Sequence, residues 1–593
     1  MSASTSFMPF DDSRRLTGFN LYFRDVGAVL ETVGPPPGGP ALQTWDAAVR
    51  RACAALGWPP GERVARQHHS GASLALTAPL DQLFSATEVN EWAWSFAHEA
   101  AHGPLAVRFH APGHSASWDE DEAMQTLRAL ASAERQPSLL ALVQAAEQRG
   151  LPVLIDDELL SIGAGDGAGC WPTLQLPSVD TLDWQALHTV PIALVTGSNG
   201  KTTTVRLLAA MARAHGWHTG HSCTDGVFVD DRLMDGGDYS GPAGARAVLR
   251  AQGVQAAVLE TARGGLLRRG LAVQQAQVAV VTNISDDHFG EYGIHNLAGL
   301  AAVKLIVARA VDAHGLLVLN ADDDMLLAKS ANMVCPIGWF SMDDALPRLR
   351  EARQRGGATC GVSGGRLMLS FRSERHDLGD VAVMPLSFDG RAPYNIANMA
   401  AAALAAAALG ISAATIATTL RQFGSARADN PGRLQHWTFG ALQVYVDYAH
   451  NPEGLHGLLA IATAQQGTGR LGMVLGQAGN REDAAIRELA STAAGFRPTR
   501  VVLKDIEGYM RGRAPGDVAA ILREQLQQDG VDAEAVIDCL DEVTAVRALL
   551  AWARRGDVLV LPVHGVAARQ QVRDLLDTLQ AGNWLPGSSL PPG

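Results

Sequence analysis

Cysteine is scarce in this 593-residue chain: there are six, Cys53, Cys170, Cys223, Cys335, Cys360 and Cys539, and no two form a C-x-x-C. That scatter excludes a disulfide framework and a cysteine zinc site, and reads as reduced thiols. Runs of basic residues are also absent, and the net charge is −13, which argues against a nucleic-acid surface and against an anionic-membrane patch. The opening stretch "MSASTSFMPFDDSRRL" has no apolar core, so no signal peptide is expected and the chain reads as cytoplasmic. An uncharged run, Asn398 to Leu420, has the length of a membrane span but is mostly Ala. Ala contributes little transfer energy, so a buried helix ending near Gly410 and a second helix after it are predicted. No internal repeat and no long low-complexity tract appears.

What is present is a large apolar fraction, 47% of the residues, enough for several cores in a chain too long for one ordinary domain. A first segment, to about residue 165, mixes short strands ("FNLYFRDVGAVLE") with helices predicted at Trp45 to Leu56, Glu88 to His102 and Ala123 to Ala133. A Gly-rich stretch, Gly163 to Gly169, reads as a linker. Beyond it the pattern becomes regular. "PIALVTG", "VQAAVLET", "QVAVVTNIS" and "GLLVLNAD" are short, almost wholly apolar strands separated by helical sequence. Strands of that kind belong to a parallel sheet covered on both faces. The pattern breaks at Asn430-Pro431-Gly432 and resumes with "LQVYVDYA", "RLGMVLGQ", "TRVVLKD" and "DVLVLPV", the strands of a last α/β unit.

The segment "LVTGSNGKTTTVRLL" carries the Gly-Lys-Thr of a phosphate loop at Gly200, Lys201 and Thr202. The usual G-x-x-x-x-G-K-[S/T] spacing puts a glycine at position 195, where this chain has Val195; its glycine is Gly197. An anion cradle does not need that first glycine. It needs a strand entering a tight turn, small residues that let N–H groups approach the anion, and a helix N-terminus aimed at it. Ile192 to Val195 supply the strand, Gly197 and Gly200 the turn, and Thr202 opens a helix. Lys201 is then placed for the β- and γ-phosphates and the Thr202 hydroxyl for Mg²⁺. Taken alone, the segment also reads as a Gly-rich turn without a ligand.

Further motifs follow in order: Glu260 in "VLETARGGLLRRG", Asp287 and His288 in "VVTNISDDHFG", Lys304 in "LAAVKLIVARAV" and Asn320 in "LNADDD". Then come Asn395 and Asn398 in "YNIANMAAAAL", Arg433 in "NPGRLQ", and Asp447 and His450 in "VYVDYAHNPEGL". With the shortened loop, this series resembles the Mur ligase family from residue 190 to about residue 460. Within that family, "CTDGVFVDDRLMDGGDYSGPAGARAVLR", "LETARGGLLRRGLA", "DYAHNPEGL" and "RGRAPGDVA" (Arg511 to Ala519) resemble the Mur-like half of cyanophycin synthetases. The first segment is loosely similar to the N-terminal domain of those enzymes. Two departures stand out. Only a short stretch separates "RGLPVLIDDELLSIG" from the phosphate-loop strand, which leaves no room for the ATP-grasp domain of that family. And "QAGNREDAAIREL", Gln477 to Leu489, stands where the family tends to show a run rich in Asp and Arg.

The resemblance implies an α/β protein of three-domain Mur ligase-like architecture. Residues 1–165 form an N-terminal α+β domain, 166–188 a linker, 189–429 a central P-loop domain with a parallel sheet, and 430–593 a Rossmann-like C-terminal domain. It implies an ATP- and Mg²⁺-dependent ligase that joins an amino acid to a carboxylate of a peptide-like acceptor. Gly197, Asn199, Gly200, Lys201, Thr202 and Thr203 would hold the phosphates, Arg433 would reach them from the last domain, Asn395 and Asn398 would face the adenine, and Asp447 the ribose. Thr202 and Glu260 would ligate one Mg²⁺, His288 a second metal, and Lys304 would match the family's carbamylated lysine. "TARGGLLRRG" and "RGRAPGD" are candidates for the acceptor or the incoming amino acid. Membrane and nucleic-acid partners are not expected, and a homo-oligomer is left open. Each of these residues also has an ordinary reading, as a solvated Glu at a strand end or a snorkelling Lys. A catalytically idle relative that binds nucleotide or peptide is the alternative.

One motif lies outside this reading. His98-Glu99-Ala100-Ala101-His102 is an H-E-x-x-H, the spacing that puts two His on one helix face with a Glu between them. Gly103-Pro104 ends the helix at once and Arg108 stands where a metzincin has its third ligand, so these histidines read as core or surface residues. "RQHHSG", with His68 and His69, reads as a solvated loop.

Overall fold

The computed structural model describes residues 9–103, 109–116, 119–286, 289–464 and 466–591. Near the N-terminus four antiparallel strands form a sheet in the order Phe10–Leu16, Gly27–Thr32, Gly71–Thr77, Arg63–His68. Helices Gly39–Leu56, Leu83–His102 and Glu120–Glu134 share one apolar core with it, built around Trp45, Leu74, Trp92 and Trp94. The third helix starts where its chemistry dictates. Asp119 accepts the Glu122 N–H, and Glu120, Asp121 and Glu122 fill the first turn, where the helix dipole favours negative charge. On the second helix Trp92 is buried and Phe96 is exposed.

The stretch expected as strands over "FNLYFRDVGAVLE" is a strand only at Gly27–Thr32. The residues before it form a loop pinned by Asn20, whose amide donates to the Gly18 and Asp25 carbonyls at 3.0 and 2.9 Å. Phe19 and Leu21 leave the first core and pack against that of the next unit. Their apolar character was visible; the core they serve was not.

Eleven strands form the central sheet. Seven are parallel, in the order Thr219–Cys223, Ala256–Glu260, Ile192–Thr196, Ala276–Val281, Val311–Asn320, Ile337–Ser341, Thr359–Ser363, and antiparallel hairpins extend both edges. Both faces carry an apolar core, as the unbroken apolar strands require. The Ala-rich run is helix Pro393–Ala408, which packs against helix Lys201–Ala214 and the sheet, and a second helix, Ala413–Gln422, follows. Methyl side chains let the first of these sit in close contact on nearly every side. No helix among the described residues is long and apolar enough to cross a membrane.

The last unit is a six-stranded sheet in the order Gln435–Phe439, Leu442–Asp447, Val558–Pro562, Leu471–Leu475, Arg500–Leu503, Val536–Asp538, parallel except for its first pair. Side chains bridge it to the central unit. Arg569 donates to Asp225 at 2.6 Å, Asn430 to Thr203 at 3.2 Å, and Asn451 to Asn199 at 2.9 Å.

The stretch read as a linker is a packed joint. Strands Val153–Ile155, Leu159–Ile162 and Gly169–Pro172 make a small antiparallel sheet, and the glycines between the last two fold against the central unit. The Asp166 N–H donates to the Val254 carbonyl at 2.8 Å, and Gly165, at φ +60°, leaves a Cβ only 2.0 Å from that oxygen. Gly165→Ala is expected to destabilise the protein by more than the ~1–2 kcal/mol of a left-handed non-glycine residue, because the backbone must also move. Comparison of urea melts with wild type checks this; an unchanged midpoint would show that the joint yields freely.

Candidate functional site

Four of the parallel strands end at one edge of the central sheet, and each end supplies part of a single cavity. Strand Ile192–Thr196 leads into the loop at Gly197, and Ala256–Glu260 ends on Glu260 itself. Thr219–Cys223 is followed by Thr224 and Asp225, and Ala276–Val281 by Thr282 and Asn283. This is where parallel sheets place ligands, because the loops diverge there and helix N-termini point inward. The cavity has a volume of about 630 Å³ and is closed from the other side by the last unit, through Arg433, Asp447, Tyr448 and Gln477.

Val195 lies wholly buried in the sheet, in register with Glu260 on one side and Val280 on the other. The loop turns later, at Gly197 (φ +143°) and Gly200 (φ +84°). A Cβ at Gly197 would lie 1.8 Å from Thr282 Oγ1, and one at Gly200 2.1 Å from Asn398 Oδ1. Both positions therefore need glycine for conformation and for space. Helix Lys201–Ala214 begins at the next residue, and its first turn, with the orphan N–H groups of any helix start, lines the cavity. Asn199 is held by the Asn283 side chain through its N–H at 2.9 Å and donates its own amide to Glu453 at 2.7 Å.

Glu260 is 1% exposed. Its carboxylate accepts from Thr202 Oγ1 at 2.8 Å and from Thr224 Oγ1 at 3.0 Å. Burial pushes this carboxyl up, against the opposing pull of Lys201, Thr202 and Arg433. Arg433 arrives from the last unit and donates to Thr202 Oγ1 at 3.3 Å, with its guanidinium 4.1 Å over the Tyr448 ring. Arg433 Nη1 is buried and has no hydrogen-bond partner among the described residues. Lys201 Nζ donates to the Gly197 and Ser198 carbonyls at 3.1 and 3.0 Å, and Lys304 Nζ, 1% exposed, donates to the Gly197 carbonyl at 2.7 Å. Two lysines, an arginine, a hydroxyl and a buried carboxylate thus converge on one loop.

Asn395 and Asn398 both line the cavity, and the Asn395 amide donates to the Leu386 carbonyl at 3.0 Å. Asp447 lies there as well, but it accepts the Leu434 N–H at 2.6 Å, and burial raises its carboxyl. His450 lines the cavity, whereas Asn320 is occupied in holding the loop after the adjacent strand, donating to the Thr282 carbonyl at 3.1 Å. Asp287 and His288 lie outside the described residues, as do the His102 side chain, Pro104 and Arg108. Among the described residues no group of His, Cys, Asp and Glu is arranged to hold a metal by itself. The two arginine-rich motifs divide. Arg263, Arg268 and Arg511 reach the cavity. Arg513 instead binds the Gly479 and Arg481 carbonyls at 2.9 and 2.8 Å and serves its own loop.

Sequence reasoning missed the group behind Arg433. Asp225 accepts from Arg569 at 2.6 Å and from Arg206 at 3.1 Å, all three nearly buried. Burial alone would raise this carboxyl; Arg433, Arg569 and Arg206 hold it well below the usual carboxylate range. Asp225 stood in a quoted motif, but nothing local in the sequence points to Arg569, 344 residues away. A second buried group lies under the 447–451 loop: Lys504 contacts Glu542 and, at 3.0 Å, His564 Nδ1, while His564 Nε2 meets the Ala449 carbonyl at 3.1 Å.

Because the native value of Asp225 is depressed, its stabilising contribution is complete above the ordinary carboxylate pKa and is lost as pH falls through the native one. Asp225→Asn deprives the buried Arg206 and Arg569 of their paired carboxylate and is expected to cost about 3 kcal/mol near neutral pH. The difference should persist at pH 5 and shrink as pH falls below the free-carboxylate value of about 3.9. Thermal melts across that range check it; a difference that vanishes by pH 5 would remove the arginine cluster as the cause.

Comparison with known proteins gives a family to this geometry. Residues 195–406 match the Mur ligase middle domain, and residues 432–562 the Mur ligase, glutamate ligase domain. Over 374 residues the chain is 36% identical to cyanophycin synthetase of Trichormus variabilis, covering 63% of this chain and 41% of that protein. It is 31% identical over 351 residues to the UDP-N-acetylmuramoyl-L-alanyl-D-glutamate--2,6-diaminopimelate ligase of Alkalilimnicola ehrlichii, covering 56% and 66% of the two chains. A solved folylpolyglutamate synthase of Mycobacterium tuberculosis, complexed with ADP and AMPPCP, is 18% identical with a TM-score of 0.47, covering 65% of this chain and 91% of that one. The match spans less than half the length of the cyanophycin synthetase. The loop at Gly197 to Thr202, the carboxylate-ended strand beside it and the arginine crossing from the last unit thus lie in the middle and C-terminal domains of a protein of the Mur ligase family.

Proposed function

We propose that this protein is an ATP- and Mg²⁺-dependent ligase that activates a carboxylate as an acyl phosphate and joins it to the amine of an amino acid, on a peptide-like acceptor. The observation that carries this reading is the convergence of Lys201, Thr202, Glu260 and Arg433 at the loop, with Arg433 Nη1 buried and unpartnered beside it. An unpaired guanidinium nitrogen at a helix N-terminus suits an anionic oxygen.

The chemistry explains the charge. An acceptor carboxylate oxygen attacks the γ-phosphorus, the bond from that phosphorus to the bridging oxygen breaks, and ADP leaves. The amine then attacks the acyl carbon, gives up a proton to solvent, and inorganic phosphate departs with the acyl C–O electron pair. In the first step two anions approach, and each pair of unit charges 4 Å apart repels by about 4 kcal/mol in a partly solvated protein environment. Preorganised cations offset that cost only if they are already in place. Lys201 and Arg433 meet this need, each held by hydrogen bonds before any substrate arrives.

Thr202 and Glu260 are the residues that would hold Mg²⁺, since a hydroxyl and a carboxylate 2.8 Å apart are the hard oxygen donors it prefers. The ion would supply neutralisation of the phosphate oxygens. His288 is assigned to a second metal, and Lys304 to a carbamate, through the resemblance of their motifs. A buried ammonium is costly, and a carbamate would turn it into an oxygen ligand. Asn395 and Asn398 are assigned to the adenine side and Asp447 to the ribose side of the cavity.

ADP release is expected to rise only when acceptor and amino acid are both present, screened over the twenty amino acids with mass spectrometry of the product. Lys201→Ala should lower it at least about 100-fold. Normal turnover by that variant, or release independent of both substrates, would overturn the assignment, the second pointing to a nucleotide-binding relative without ligase activity.

A further inference from the structure

The N-terminal domain reaches elements that line the cavity at helix Arg263–Arg268, where Arg14 donates to the Leu267 carbonyl at 3.1 Å, and at one turn. Residues 289–295 follow the Asp287-His288 pair and carry Glu291, which lines the cavity. Glu291 is a joint between units. One carboxylate oxygen pairs with Arg263 of the central unit, which is 5% exposed, and the other accepts from Asn480 of the last unit at 2.9 Å. Asn480 belongs to the segment that departs from the family pattern. Gly290 lies against the last unit as well, since a Cβ there would come within 2.4 Å of Glu482 Oε1.

Tyr292, next to Glu291, has φ +52° and ψ +37°. That conformation is uncommon for a bulky residue and persists only where the surroundings impose it. The N-terminal domain supplies most of those surroundings. Arg66 spans two successive carbonyls, Tyr292 O at 3.2 Å and Gly293 O at 2.6 Å. Arg14, anchored on Glu31 at 2.7 Å, lies 4.2 Å over the Tyr292 ring. His68 closes the far side, where a Cβ on Gly293 would meet its ring at 2.2 Å. From the central unit, Arg268 donates to the Tyr292 hydroxyl at 3.1 Å.

We propose that the N-terminal domain is a positioning element for the cavity: Arg66 and Arg14 hold the Tyr292-Gly293 turn in its left-handed form and thereby seat Glu291 between Arg263 and Asn480. Arg66 and Arg14 are positioning residues that act through Glu291. The part of the cavity lining they set includes Arg263, Arg268 and Asn480. Because Arg263 and Arg268 belong to the motif read as a site for the acceptor or amino acid, the effect on catalysis falls on that substrate rather than on the nucleotide; this part rests on the ligase reading above.

The test uses the full chain and two variants, Arg66→Ala and the milder Arg66→Lys, which keeps the charge but cannot span both carbonyls. Backbone hydrogen exchange is followed at 289–295 and, through the Asn480 bond, at 478–483. Both segments are expected to exchange at least about 10-fold faster in either variant, with exchange in helix Lys201–Ala214 unchanged. In turnover assays the Michaelis constant for acceptor or amino acid should rise about 10-fold or more, with that for ATP and the limiting rate nearly constant. Unchanged exchange at both segments overturns the proposal. So does faster exchange with unaltered substrate constants, because the turn would then be held without positioning anything. A wild-type protein silent toward every substrate pair would overturn the ligase reading alone, and the exchange data would still decide whether the clamp exists.

Discussion

Buried positive charge is the constraint on which the rest of this molecule depends. Lys201, Lys304 and Arg433 crowd one loop, and Arg206 and Arg569 stand close behind. Like charges at such spacing disperse unless carboxylates hold them. Two carboxylates do so, Glu260 and Asp225, and they come from neighbouring parallel strands, at the end of one and just after the end of the other. The sheet thus fixes the spacing of the anions, and the anions fix the cations. Because Asp225 takes one of its arginines from the last unit, the same ion pair that stabilises the cluster also closes the two lobes over the cavity.

The arrangement separates two kinds of arginine that look alike in the sequence. Arg513 spends its donors on carbonyls and a carboxylate of the protein itself. Arg433 keeps a nitrogen in hand, buried beside the helix N-terminus. A buried donor without an acceptor costs free energy, and proteins keep such a group where a ligand offers the missing acceptor. This asymmetry, more than the number of arginines, gives the cavity its functional reading.

The N-terminal domain reaches the cavity indirectly. Its loop at 17–25 packs apolar side chains into the central core, and its Arg66 and Arg14 grip a strained turn. Strain at that turn is tolerable because three units meet there, through Arg66 and Arg14, Arg268, and Asn480. The small sheet between residues 153 and 172 packs its glycines against the central unit.

By itself the amino-acid sequence determined the α/β class, the glycine turn at Gly197 and Gly200 and most of the motifs that line the cavity. These are local properties: apolar runs, glycines at a turn and polar residues at strand ends. The Ala-rich pair of helices was legible for the same reason. The edge hairpins, such as Gly226–Val229 with Arg232–Gly236, were not, since short strands without apolar alternation resemble loops. The packed Gly163 to Gly169 joint was also hidden, because glycine composition is the same in a flexible linker and in a close contact. Only tertiary structure brought Asp225 to Arg569 and Glu291 to Asn480, across 344 and 189 residues. Pairings of that range depend on how whole sheets dock, which no local spacing encodes.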